Sequence, residues 1–197
     1  MAYDFGFDFR ATQAYVTDPS YATYELCAGG GGGISYPTTR VVNGVSITFG
    51  WEQATQTRNR NSGVDPRLAG INFQGNSGST YNFRVDLPAA GLWSIGIGSG
   101  DAAAGNAQKN FIAIKDTATQ VLNCSVNTSS TQVGDAAKNL WSTAAWPGSN
   151  VLVPVTFTTT ILRVQICGTV ATDSTCLMTL RLIQSSSLSQ LATLGAG

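Results

Sequence analysis

The chain has 197 residues, 43% of them hydrophobic and only 11% charged, with 11 Lys and Arg against 11 Asp and Glu. That length suits one domain around one buried core, and a surface without net charge has no basic field for nucleic acid and no acidic tail. Histidine is absent, which removes the commonest general base and metal ligand, and with them histidine-dependent hydrolase triads and zinc sites.

The amino end, MAYDFGFDFR, carries acids and lacks a basic segment followed by an apolar one, so no signal peptide is expected. No apolar run approaches the roughly 18 to 20 residues needed to cross a bilayer. Synthesis in the cytoplasm is the expectation. Ser, Thr, Asn, Gln and Gly stand where charges usually would. That mix fits β-rich domains with many turns, and surfaces that become covered by other protein, since hydroxyls and amides cost less to desolvate than unpaired ions.

Taken in order, Phe5 to Arg10 alternates aromatic with small or charged residues and predicts a strand with one aromatic face. Tyr15-Val16-Thr17 reads as a strand end, and Pro19 forces Asp18 out of the helical region into a turn. Tyr21, Tyr24 and Leu26 lead to Gly29–Gly33, five glycines whose entropy makes them either a flexible tether or a place of very close contact. Asn43-Gly44 between Val41-Val42 and Val45–Trp51 is a hairpin signal.

A turn-rich stretch then carries Arg58, Arg60, Asp65 and Arg67. Planar guanidinium groups there suit carboxylates or vicinal sugar hydroxyls, and suit equally an internal lattice with Asp8, Asp65 or Asp86. Ile71–Phe73 is a short strand. Tyr81–Leu87 and Trp93–Ile97 predict two half-buried strands joined by Pro88–Gly91, and the second runs into Gly98-Ser99-Gly100-Asp101, a bend or a place of close backbone approach.

Phe111–Asp116 and Val121–Val126 repeat the pattern of strand, turn, strand. Trp141 and Trp146 sit in a polar stretch. Val151–Phe157, Ile161–Cys167 and Cys176–Ile183 supply the last strands. About nine to eleven short strands with no amphipathic helix predict an all-β fold, an antiparallel β-sandwich or jelly roll. Residues 1–183 form the expected single domain, with Gly29–Gly33 inserted, and 184–197 a tail or contact arm.

Cys27, Cys124, Cys167 and Cys176 have no metal spacing. A hairpin across 168–175 would set Cys167 opposite Cys176 and allow a bond, whereas a reducing compartment favours buried free thiols. The sequons at Asn123 and Asn127 have no meaning without export.

Several of these stretches resemble a known family. FDFR, Tyr15-Val16-Thr17, Phe49-Gly50-Trp51, Arg58-Asn59-Arg60 and, above all, Phe83–Pro88 with Gly91, Trp93, Ile95, Ile97 and Gly100-Asp101 look like the galactose-binding-like β-sandwich of family 35-type carbohydrate-binding modules. The likeness covers most of residues 5 to 183. TFGWE, the arginine pair after it and Trp146-Pro147-Gly148 are also similar to stretches in uncharacterised proteins of tailed bacteriophages. This chain departs from the sugar-binding pattern in its glycine loop, and no linked enzyme is expected.

A virion structural protein is the expected function, a capsid decoration or cement protein or else a tail or baseplate surface component, made in the host cytoplasm. Its partners would be the major capsid protein or other virion proteins, with dimers or trimers on symmetry axes and weak contacts adding by multivalency. The alternative is a carbohydrate-binding module for host polysaccharide, with a glycan as partner.

Any of Trp51, Trp93, Trp141 and Trp146 is either a stacking platform or core packing. The candidate binding surface is Arg58, Arg60, Arg67, Asp101, Trp141 and Trp146. Asp8, Glu52, Asp65, Asp86 and Asp101 show no spacing that pairs two carboxylates for glycoside hydrolysis, so no catalysis is expected. No EF-hand-like spacing supports calcium, and no metal, cofactor, nucleic-acid or membrane partner is expected.

Overall fold

A computed structural model describes residues 3–9, 25–27, 33–42, 44–59, 70–73, 79–99, 111–117, 120–126, 138–139, 152–167 and 176–184. They hold fourteen strands and no helix: β1 (Asp4–Asp8), β2 (Glu25–Cys27), β3 (Thr38–Val42), β4 (Val45–Trp51), β5 (Gln56–Asn59), β6 (Gly70–Phe73) and β7 (Thr80–Asp86). The rest are β8 (Gly91–Ser99), β9 (Phe111–Lys115), β10 (Val121–Val126), β11 (Lys138–Asn139), β12 (Val153–Phe157), β13 (Ile161–Cys167) and β14 (Cys176–Gln184). The fold is all-β as expected. The strand count exceeds nine to eleven because β2, β5 and β11 are too short to show a period in the sequence.

The strands form two sheets. One has six strands in the order β10-β9-β13-β7-β4-β3. The other has eight, with β11-β8-β14-β1-β2 as its path, β12 also on β8, β6 on β14 and β5 on β6. All pairs among these strands are antiparallel except β1 with β2.

Alternation decides which side chains meet between the sheets. Phe5 and Phe7 of β1, Trp93, Ile95 and Ile97 of β8, and Leu180 and Leu182 of β14 face Ile47 and Phe49 of β4, Phe83 and Val85 of β7, and Leu162, Val164 and Ile166 of β13 in one buried cluster. The aromatic face predicted for the first strand is its centre. Phe83 meets Phe7, Phe9 and Trp51 edge to face at 5.4, 4.8 and 5.4 Å between centroids, the geometry aromatic quadrupoles favour.

Two short connections cross between the sheets. Pro88–Ala90 does join two strands, but β7 lies in the six-stranded sheet and β8 in the other, so the turn crosses the sandwich. The segment Thr158–Thr160 does the same between β12 and β13. The two crossings stack, with Leu87 N–H donating to Thr160 O at 2.6 Å and Trp93 Nε1 to Ala89 O at 3.1 Å. The Asp116 carboxylate, buried after β9, accepts the Thr158 hydroxyl at 2.6 Å and ties a third turn to them.

Nor is β8 half-buried, since Trp93 to Ser99 are all buried. Its outward positions are small, Ser94, Gly96 and Gly98, and the chain covers them; the Leu152 side chain lies 3.1 Å from where a Cβ on Gly96 would sit. The alternative that set Cys167 opposite Cys176 across a hairpin is ruled out, because β13 and β14 belong to different sheets. Cys176 is buried and takes part in no disulfide. Gln184, placed in the tail by its composition, is the last residue of β14 and pairs with Trp93.

The Asn43-Gly44 signal holds. Val42 pairs with Val45, and Gly44 has φ +74°, the left-handed conformation such a turn needs.

Candidate functional site

The outer face of the eight-stranded sheet is buried at Asp8, Ser94, Thr179 and Ile183 and also carries the half-buried ion pair of Arg181 with Asp4 at 3.1 Å. That of the six-stranded sheet carries half-buried polar side chains from strands scattered along the chain.

Strand β7 contributes Asn82, Arg84 and Asp86, because Phe83 and Val85 between them take the core side. Strand β13 contributes Arg163 and Gln165 by the same logic, with Leu162 and Val164 inward. Register then sets Lys115 opposite Arg163, Arg163 opposite Arg84, and Arg84 opposite Gly50. Three cations in one cross-strand row would destabilise the sheet if left alone.

Two acids answer them. Glu52, just past β4, accepts Arg163 Nε at 3.0 and 3.1 Å on its two oxygens and Nη2 at 2.9 Å. Arg84 Nη1 approaches the same carboxylate at 3.8 Å. Asp86 accepts Arg84 Nε at 2.8 Å and the Tyr36 hydroxyl at 2.8 Å.

Amides extend the array. Asn82 donates to Glu52 at 3.1 Å and accepts from Gln165 at 3.0 Å, and Lys115 Nζ donates to Gln165 Oε1 at 3.4 Å.

Tyr36 reaches this face by a crossing that only glycine permits. Tyr36 N–H donates to Trp51 O at 2.9 Å and Trp51 N–H to Ile34 O at 2.7 Å, so the segment Ile34–Tyr36 runs over Gly50. A Cβ on Gly50 would lie 2.5 Å from Ser35 C and Tyr36 N. The Arg84 guanidinium then stacks on the Tyr36 ring, 4.4 Å from its centroid, a cation–π contact. Loss of solvent, and next the hydrogen bond to the Asp86 carboxylate, push the Tyr36 phenol above its ordinary value. Tyr36 thus stays a proton donor into the alkaline range.

The result is a flat polar surface in which the acids and guanidinium groups already hold one another. Side-chain exposure is 13% for Arg163, 21% for Glu52 and Arg84, and 32% for Asp86. Partners that fix each other's rotamers and offset each other's charge lower both the ordering and the desolvation cost of covering the surface.

Of the candidate binding surface read from the sequence, only Arg58 lies within the described chain, and it is on strand β5 rather than in a loop. The pairing Gln56 to Phe73 through Asn59 to Gly70 makes the stretch a strand. Arg58 stacks on Phe73, 4.8 Å from the ring centroid. It sits with the eight-stranded sheet, away from the array. Arg60, Asp65, Arg67, Asp101, Trp141 and Trp146 fall outside the described residues.

Asp86, one of three acids offered as partners to that arginine stretch, is held among the described residues by Arg84, two positions before it. Trp51 and Trp93 are 3% and 0% exposed, which makes them core and ends their candidacy as sugar platforms. Glu52 and Asp86 were visible only as unpaired acids, and the signal that singles them out is the polar half of the alternation in β7 and β13. Among the described residues no three His, Cys, Asp or Glu come together as a metal would need, and no helix is long and apolar enough to cross a membrane.

Compared with family models, curated proteins and solved structures, the chain matches none of them.

Proposed function

We propose that this chain is a non-enzymatic virion structural protein, a decoration or cement protein that binds and stabilises a bacteriophage capsid through a galactose-binding-like, jelly-roll sandwich. One observation carries the reading: the outer face of the six-stranded sheet presents a broad array of mutually paired polar groups drawn from β7, β13 and the end of β4. A surface with its charges already paired at Glu52 and Asp86 suits broad contact with another protein, because little remains to be desolvated or ordered there. The likeness of TFGWE and its neighbours to tailed-phage proteins supports the same reading.

The major capsid protein is the partner in this reading, with dimers or trimers of the chain on the particle and many weak contacts summing. Quantitative mass spectrometry of purified particles tests it. A fixed copy number matched to the lattice is expected, and a copy number near zero ends it.

A second reading, a module for host polysaccharide, draws on the side-by-side amides of Asn82 and Gln165 beside Arg84 and Tyr36, which offer donors and acceptors to sugar hydroxyls. A glycan array with the purified chain decides it, and no binding at millimolar sugar removes it.

A further inference from the structure

The outermost strand of the six-stranded sheet, β3, has the sequence TTRVV, four of its five residues β-branched. Among the described residues it pairs with β4 on one side and with no strand on the other. Thr39 and Arg40 are exposed, and Val41 is 72% exposed, the large apolar side chain most open to water among the described residues. An open edge of this kind is usually blunted by proline, a bulge or several charges; here the one guard is Arg40.

The hairpin geometry fixes which backbone groups face outward. With a two-residue connection, Val42 and Val45 form the first hydrogen-bonded pair. Alternation then turns the N–H and C=O of Val42, Arg40 and Thr38 toward β4, and those of Val41 and Thr39 away from it. The Arg40 side chain fits this arrangement, since its Nη1 donates to the outward Thr39 O at 3.1 Å. Arg40 thus holds the place that an incoming backbone N–H would take.

We propose that the open edge of β3 receives an extended segment of another protein as an additional antiparallel strand, with an Asp or Glu of that segment opposite Arg40. Backbone bonds to Thr39 and Val41 supply the attachment, as in other cases of strand addition. When the new N–H takes Thr39 O, the Arg40 guanidinium is released to the incoming carboxylate. A second copy of the chain is the poorer occupant. The register in which two β3 strands exchange all their outward groups at Thr39 and Val41 sets Arg40 against Arg40, and like charges directly opposed are destabilising.

The inference goes beyond the virion reading and does not depend on it, because any partner presenting such a segment would satisfy it. The test uses the purified full chain and two end-capped synthetic peptides, Thr-Val-Glu-Val-Thr and Thr-Val-Lys-Val-Thr, followed by NMR and amide hydrogen exchange. Saturable binding of the acidic peptide at millimolar concentration is expected, with slowed exchange at the Thr39 and Val41 amides and roughly fivefold weaker binding of the lysine peptide.

Val41→Pro removes an N–H outside the β3–β4 ladder, so binding should vanish while the denaturation midpoint stays close to that of the parent. Arg40→Glu, which leaves the backbone untouched, should reverse the peptide preference. No saturable binding, equal binding of the two peptides, protection elsewhere than β3, or a dimer joined through β3 in sedimentation would each overturn the proposal.

Discussion

Arg163 and Glu52 are 111 residues apart in the chain and meet through contacts of 2.9 to 3.1 Å on the outer face of the six-stranded sheet. Their geometry is that of a guanidinium edge on a carboxylate, the strong form of a charge-assisted hydrogen bond.

Arg163→Ala leaves Glu52 with Asn82 and a more distant Arg84, and is expected to cost about 1–2 kcal/mol. Glu52→Leu combined with Arg163→Met should recover part of that loss, because no half-buried charge is then left without its partner. Urea denaturation midpoints of the single and double variants check this, and strictly additive losses would mean that the two residues are not coupled.

Gly50 lets the backbone of Ser35 and Tyr36 pass over β4. Gly50→Ala places a methyl group inside that backbone at φ +144° and is expected to cost roughly 3 kcal/mol or more. At Gly44 nothing lies within 4 Å, so Gly44→Ala should cost only about 1 kcal/mol, the strain of its conformation. Thermal unfolding of the two variants side by side separates close approach from backbone strain.

The Tyr36 phenol is raised in the folded chain, and its charged form is the deprotonated one. The folded state therefore holds this proton more tightly than the unfolded state, whose tyrosine titrates near 10, at about the ordinary value. The stability that follows is fully present below the unfolded pKa and is lost as pH rises through the folded one. Tyr36→Phe, which keeps the ring over Arg84, should cost about 0.5–1 kcal/mol at neutral pH. Its deficit should shrink as the parent loses stability above about pH 10, and a deficit constant from neutral to strongly alkaline pH in denaturant titrations would refute the assignment.

Phe83 lies at the junction of Phe7, Phe9 and Trp51, with no exposure of its own. Phe83→Ala should cost about 3–5 kcal/mol through the cavity it opens, whereas Phe83→Leu should cost less. Cys176 is 1% exposed, so mapping of alkylated thiols should find it protected in the native chain and reactive after unfolding.

Much of the strand content was legible because alternation is local. Phe5, Phe7 and Phe9 announce an aromatic face, and Asn43-Gly44 announces its turn, from neighbouring residues alone. The candidate site was not legible in the same way. Arg58, the described member of its conspicuous arginine pair, led to β5 and Phe73. The array came from the polar half of β7 and β13, of which only Asp86 had been singled out, residues whose meaning depends on the strand beside them.

By itself, then, the order of residues determined that this is an all-β chain, which side chains of most strands face inward, and that no histidine chemistry is open to it. Tertiary structure alone decided that Pro88–Ala90 crosses between sheets instead of closing a hairpin, that Cys167 and Cys176 sit on strands of opposite sheets, and that Arg163 finds Glu52. The physical reason is one of range. A period of two residues is written by adjacent side chains, whereas the choice of a strand's neighbour is made by how the whole apolar face is best buried, and residues from opposite ends of the chain, such as Phe5 and Leu182, take part in that choice.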